Sequence, residues 1–224
     1  MDIGLIGGIG PAATDLYYRG LIASLRAKGR VLDATIVHAD SVTLLANFEA
    51  CDPHAQTEIY LRLADRLVSA GADAMAITSI GGHFCIETLR PRCPLPLIEL
   101  AGAINADVSA CKLKTVGILG TDTVMETGIY GGITSANVIA PQGKMLAEFH
   151  RAYADMAIKT TVTDAQRDLF FQQGHEMTEA GAEAVLLAGM DLFIAFEGYD
   201  PGFQAIDCAE IHVDAIVRTI LENG

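Results

Sequence analysis

Two stretches of this chain, AGADAMAITS at residues 70–79 and AGAEAVLLAG at 180–189, follow one plan: a helix end, a glycine, then an apolar run stopping at a small residue. The first run stops at Ser79, which carries a hydroxyl, and the second at Gly189, which carries no side chain. A serine hydroxyl is far too weak an acid to exchange protons near neutrality unaided, so Ser79 needs a base beside it. His83 follows four residues later, near the start of a helix, and could approach Ser79. The competing reading is a structural histidine with its bonds satisfied. Thr78 is expected on the opposite strand face, because side chains alternate, and Cys85 is expected to face the core.

The turn GGIGPAAT (7–14) has a Gly8-x-Gly10 spacing that superficially suggests a dinucleotide site. Ala13 stands where the third glycine belongs, Pro11 opens the helix, and Asp33 precedes its strand rather than ending it. The better reading is a helix N-terminus whose free backbone N–H groups suit one carboxylate, with Gly8 and Gly10 allowing close approach.

The elements that must position these residues are legible as apolar runs alternating with amphipathic stretches. Strands are expected at 3–7, 34–39, 74–79, 95–100, 115–120, 136–141, 184–189 and 192–196. Helices are expected at 12–28, 54–70, 100–110, 143–158 and 164–180, the last capped by Asp164. Continuous apolar strands separated by helices predict an α/β fold, with parallel sheets covered on both faces and ligands beyond the strands' carboxyl ends. A second repeat strengthens the first: IGLIGGIGPAATDLYY (3–18) resembles VGILGTDTVMETGIYG (116–131). Two matching pairs in the same order predict two α/β halves related by duplication and pseudo-two-fold symmetry, facing across a cleft. The halves are expected to comprise 1–99 with 206–224, and 100–205, so that Ser79 and Gly189 occupy equivalent positions.

Composition narrows the function classes. The 224 residues are 51% hydrophobic and 19% charged, with a formal net charge of −13. Disorder is excluded, and nucleic acid and anionic membranes are unsuited partners, although a local site could still hold a small anion. The start MDIGLIGG has an acid where a signal peptide carries basic residues, and no apolar run is long enough to span a bilayer, so a cytoplasmic protein is expected. The five cysteines form no CxxC pair, which argues against a disulfide framework or a zinc site and for buried reduced thiols.

With these motifs in view, the chain resembles the aspartate/glutamate racemase family, enzymes that invert an amino acid α-carbon without pyridoxal phosphate. The resemblance covers essentially the whole chain. It rests on IGLIGGIGPAATDLYYR and VGILGTDTVMETGIY, with RCPLPLIEL and AIDCAEIHVDAIV (205–217) in support. It implies two Rossmann-like halves, a homodimer, no cofactor, no metal, and a small carboxylic or amino acid ligand. It also implies a cysteine at the end of the third strand of each half, one removing the α-proton and the other delivering a proton to the opposite face. Here those positions read Ser79-Ile80-Gly81-Gly82-His83 and Ala188-Gly189-Met190-Asp191, so both thiols are replaced.

By the same resemblance, Asp191 keeps a carboxylate where the family has glutamate. His212 matches a family histidine near the cleft and is the best remaining acid/base candidate, against a packing role. Thr121 and Thr123 match positions that receive an anion, with an ordinary capping role for Thr121 or Asp122 as the alternative. Thr78, Gly81, Gly189 and Met190 fall among the expected substrate contacts. Asn47 and Glu49 occupy the stretch where the family holds the distal carboxylate, and Lys159 could neutralise one, with a surface lysine as the alternative. A site with Glu49, Ile80 and Met190 is less welcoming to a dicarboxylate. Three functions compete: a racemase or isomerase with altered two-base chemistry, a divergent decarboxylase or lyase needing one proton donor, and a non-catalytic small-acid binder.

Overall fold

The computed structural model describes residues 1–7 and 11–223. Its first part runs β1 (Ile3–Gly7), α1 (Pro11–Ala27), β2 (Ala34–His38), α2 (Ser41–Glu49), α3 (Pro53–Ala70), β3 (Ala74–Ile77), a 3-10 turn (Gly81–Cys85), α4 (Ile86–Leu89), a second 3-10 turn (Arg90–Arg92) and α5 (Leu100–Ala110). It continues with β4 (Thr115–Leu119), α6 (Asp122–Thr127), β5 (Asn137–Ile139), α7 (Gly143–Lys159), α8 (Asp164–Glu179), β6 (Ala184–Leu187), α9 (Phe193–Phe196), β7 (Ala205–Asp207) and α10 (Cys208–Asn223). Two compact units result, Met1–Leu100 with Ala209–Gly224, and Ala101–Cys208. The fold is α/β, with a parallel sheet in each unit.

In the first unit the strand order is β2-β1-β3; in the second it is β5-β4-β6-β7. The pairing repeats residue for residue. Ile3 lies opposite Ala74 and Ile6 opposite Ile77, while Val116 lies opposite Ala184 and Leu119 opposite Leu187. Residues 71–80 and 181–190 share one burial pattern. The helix before each of these strands closes onto a glycine of the middle strand. A Cβ at Gly4 would sit 2.6 Å from Leu67 of α3, and one at Gly117 would sit 3.0 Å from Met177 of α8. In each unit the glycine leaves the space that the helix side chain fills, and a larger residue there would force Leu67 or Met177 to shift.

Three expectations are corrected. The 95–100 run forms no strand; it joins the first sheet only through the Met75–Leu97 bridge, with Ile98 N–H donating to Met75 O at 2.9 Å. The corresponding place in the second sheet, beside Val185, is taken by β7, which is too short to show in the sequence. Because β4 and β7 fill both edges of β6, the 192–196 run has no sheet edge to join, and Phe193–Phe196 coils into α9. The α8 cap is Thr163 rather than Asp164: the Thr163 hydroxyl accepts from Gln166 N–H while Gln166 bonds back to Thr163, closing a capping box.

The C-terminal helix returns to the first unit and is fastened there by His212. Nε2–H donates to Ile98 O at 2.9 Å, because a carbonyl can only accept, and Nδ1 then accepts from Tyr17 OH at 2.8 Å. The buried ring is held neutral: burial, with a smaller push from His83, lowers its pKa to about 3, against the pull of the Ile98 bond. Tyr17→Phe leaves the Nδ1 lone pair without this donor. We expect that substitution to lower the unfolding free energy by on the order of 1–3 kcal/mol in urea denaturation near neutral pH. A change below about 0.5 kcal/mol would show that the bond does not hold α10.

Candidate functional site

In the first unit, the chain leaves β3 at Thr78. Its N–H donates to Ile6 O at 3.1 Å, and its hydroxyl lies 3.2 Å from the same carbonyl and 2.9 Å from Thr14 Oγ1. Thr78 therefore ties β3 to β1 and α1, and its side chain is spent on the fold. Ser79 comes next, 7% exposed, and Ile80, Gly81, Gly82 and His83 are buried behind it. His83 does approach Ser79, but at the backbone: Nδ1–H donates to Ser79 O at 2.7 Å, not to the hydroxyl. That bond makes Nε2 the basic nitrogen, and Nε2 is buried without a hydrogen-bond partner among the described residues. Burial lowers the ring's pKa, opposed by the Ser79 bond and the charge of Glu99.

The other expected residues of this unit are dispersed. His212 lies in the core with both ring nitrogens engaged, so the packing alternative describes it and the acid/base role is withdrawn. Glu49 is exposed at the end of α2, and Asn47 Nδ2 donates to Gln56 Oε1 at 3.0 Å. Gly8 and Gly10 lie outside the described residues. At the carboxyl ends of β1 and β2, a cavity of about 290 Å³ is lined by Gly7, Pro11, Thr14, Asp15, Tyr18, Ile36 and His38. It occupies the place where open α/β sheets receive ligands.

The second unit is built the same way and ends differently. The N–H groups of Ala188 and Gly189 both donate to Leu119 O, at 2.7 and 3.1 Å, and the chain then turns through Gly189, Met190 and Asp191 into α9. Met190 and Asp191 are 2% and 6% exposed. Asp191 is met there by Tyr153 of α7, whose hydroxyl donates to Oδ2 at 3.4 Å. The other carboxylate oxygen, Oδ1, is buried with no hydrogen-bond partner among the described residues. Burial pushes the Asp191 carboxyl up to about 6, with the Tyr153 bond pulling modestly the other way. The phenol in turn is held well above its usual value of 10, by burial and then by the negative charge of Asp191.

The remaining expected anion holders are engaged locally. Thr121 is the N-cap of α6, its hydroxyl accepting from Val124 N–H at 3.3 Å. Thr123 donates to Asp122 Oδ1 through its N–H at 2.7 Å and its hydroxyl at 3.3 Å. Capping thus describes Thr121, while Thr123 is spent on Asp122, and Asp122 N–H is taken by His150 Nδ1 at 3.0 Å. Lys159 pairs with Asp155 one turn back on α7, at 2.6 Å, and is a surface lysine. A cavity of about 600 Å³ beside Met125, Ile133, Pro141 and Leu146 contains none of the expected residues. Of the thiols, Cys85, Cys93 and Cys208 are wholly or partly buried with raised pKa values, that of Cys85 to about 11, but Cys51 and Cys111 are exposed, contrary to expectation. No group of three His, Cys, Asp or Glu suited to a metal occurs among the described residues, and no described helix is long and apolar enough to cross a membrane.

Sequence reasoning missed Tyr153. Its one signal was the buried spacing Phe149, Tyr153, Met156 on α7, which reads as core; the hydroxyl's partner 38 residues away could not be read from it.

Comparison with known proteins agrees with this architecture. A family model described as Asp/Glu/Hydantoin racemase matches residues 6–216. A provisionally assigned Asp/Glu racemase from Yersinia pestis superposes with a TM-score of 0.86 at 22% identity, covering 98% of this chain and 99% of that one. An aspartate racemase homologue from Pyrococcus horikoshii gives 0.78 at 20% identity, covering 99% of each chain. Glutamate racemase from Francisella tularensis, solved with D-glutamate, gives 0.71 at 15% identity, covering 99% of this chain and 81% of that one. At such identities the structural likeness speaks to the fold.

Asp191 yields a pH prediction. Its folded pKa of about 6 lies above the ordinary 3.8, so the protonated carboxyl favours the fold below about pH 4, and that contribution is lost as pH rises through 6. Relative to the native chain, Asp191→Asn should therefore gain stability progressively between those values, reaching on the order of 1–3 kcal/mol above pH 6. Urea titrations of both proteins at several pH values check this; a pH-independent difference would contradict the raised pKa.

Proposed function

Because the chain belongs to the Asp/Glu/Hydantoin racemase family, we propose that it is a cofactor-independent isomerase of a small α-acid, of the aspartate or glutamate type. The observation that carries this reading is Asp191, a buried carboxyl with one unpartnered oxygen and a pKa of about 6. Structural networks satisfy their buried oxygens, whereas a proton carrier needs one facing its work. A group with a pKa near 6 can both accept and give a proton close to neutrality, which an inversion running in both directions demands.

In the step itself, the substrate's Cα–H bond breaks, its electron pair moves onto the substrate carboxylate, and the proton passes to a side chain. A new Cα–H bond then forms from a second carrier. Family resemblance assigns a thiol at each of positions 79 and 189, and neither is present, so the carriers must be other groups. Asp191 supplies the second unit's share. In the first unit Ser79 carries the hydroxyl, and His83 Nε2 is the one buried basic nitrogen near it without a bond among the described residues. The acidic substrate class is supported by the aspartate and glutamate racemases among the structural relatives, one of them solved with D-glutamate.

The test is proton exchange. In deuterated water, the native protein should wash out the α-proton signal of L- or D-aspartate, or of L- or D-glutamate, in proton NMR. Asp191→Asn should slow that washout by at least about 100-fold, the usual contribution of a positioned acid/base group. If neither isomer of either acid exchanges with the native protein, the reading fails. A thermal shift with the same acids but no exchange would make the protein a binder.

A further inference from the structure

Gly189 is a glycine without a conformational reason, since it is absent from the residues with positive φ. What it lacks is room. A Cβ placed there would lie 2.6 Å from Cζ and 2.9 Å from the hydroxyl of Tyr153, and would also overlap Cε2. Real Cβ atoms do not approach other atoms so closely, so no side chain fits at 189 while the phenol stays. The phenol oxygen therefore lies within 3 Å of where a side chain at 189 would begin, in the volume such a side chain would claim.

The phenol is not there merely to fill space. Phe would pack as well and would spare the chain a buried hydroxyl facing a buried carboxylate. Tyr153 is 6% exposed, as is Asp191, and the phenol meets both the side chain of Asp191, at 3.4 Å from Oδ2, and its backbone. Asp191 Oδ1 has no hydrogen-bond partner among the described residues. A phenol buried against a carboxyl that keeps one oxygen unbonded forms an acid–acid pair able to pass one proton between them.

We propose that Tyr153 is the second unit's proton carrier, its hydroxyl delivered through the gap at Gly189 and recharged by Asp191. The proposal rests on the isomerase reading above. In the delivering direction, the Tyr153 O–H bond breaks as Cα–H forms, and the phenol oxygen takes the proton of a protonated Asp191, leaving a carboxylate. In the abstracting direction, the phenol oxygen receives the α-proton while its own proton passes to the Asp191 carboxylate. The electron pair of the broken Cα–H bond moves onto the substrate carboxylate, and no phenolate accumulates. That avoids a species which burial strongly disfavours.

The experiment uses exchange in deuterated water with the four aspartate and glutamate isomers, and melting curves of each protein. Tyr153→Phe should melt within a few degrees of the native protein, keep its KM, and lose at least about 100-fold in kcat. Gly189→Cys alone should lower the melting temperature, because thiol and phenol claim one volume. Tyr153→Ala/Gly189→Cys should melt above Gly189→Cys and exchange at least about tenfold faster than Tyr153→Ala, the thiol standing in for the phenol. Should Tyr153→Phe not fold, the comparison of Tyr153→Ala with the double variant decides. Native exchange with Tyr153→Phe within about threefold of it, or no gain from the thiol, overturns Tyr153's role and leaves the isomerase reading intact. Absence of native exchange overturns both.

Discussion

In each sheet a middle strand is paired on both edges and covered by helices on both faces, so every residue it carries must be apolar or absent. β1 is buried throughout, β4 nearly so, and each gives up a side chain at one position, Gly4 or Gly117, to let the preceding helix of its neighbour strand seat. Such strands can offer polar groups to a ligand only where they end. The register of β3 on β1 and of β6 on β4 therefore decides which residues become chemistry. Thr78 in the first unit, and Ala188 with Gly189 in the second, make the last backbone bonds to the middle strand, so that Ser79 and Gly189 stand where the apolar runs end.

The two ends use that position in contrasting ways. After β3, a small hydroxyl residue is followed by a histidine that spends one nitrogen on the backbone and keeps the other bare. After β6, the side chain vanishes and a helix 36 residues upstream sends a phenol into the gap, against a carboxyl two residues further on. The energetic cost of burying that carboxyl is visible in its raised pKa. Folding alone gains nothing from it, since an amide or an apolar residue would pack without the penalty.

Most of the fold was legible because period and length are local properties. β1 to β3 and β4 to β6, the long helices and the twofold repeat all appear as apolar runs and amphipathic stretches between glycines. The failures have a common origin. Whether residues 95–100 or 192–196 become strands depends on which sheet edges are still open, and the three-residue β7 owes its existence to the edge of β6 rather than to its own composition. His212 and Lys159 looked available for chemistry because a sequence records residue types and not how many of their bonds are already taken.

By itself, the sequence determined the α/β class, the duplicated order of elements, the family likeness, and the loss of a side chain at 189. All of these follow from residue types and spacings along the chain. Only the tertiary structure decided that His212 is a fastening of α10, that Thr121 and Thr123 serve α6, and that Tyr153 fills the space above Gly189. Hydrogen-bond satisfaction and excluded volume are set by residues far apart in the chain, and they exist only once helices and strands have closed on one another.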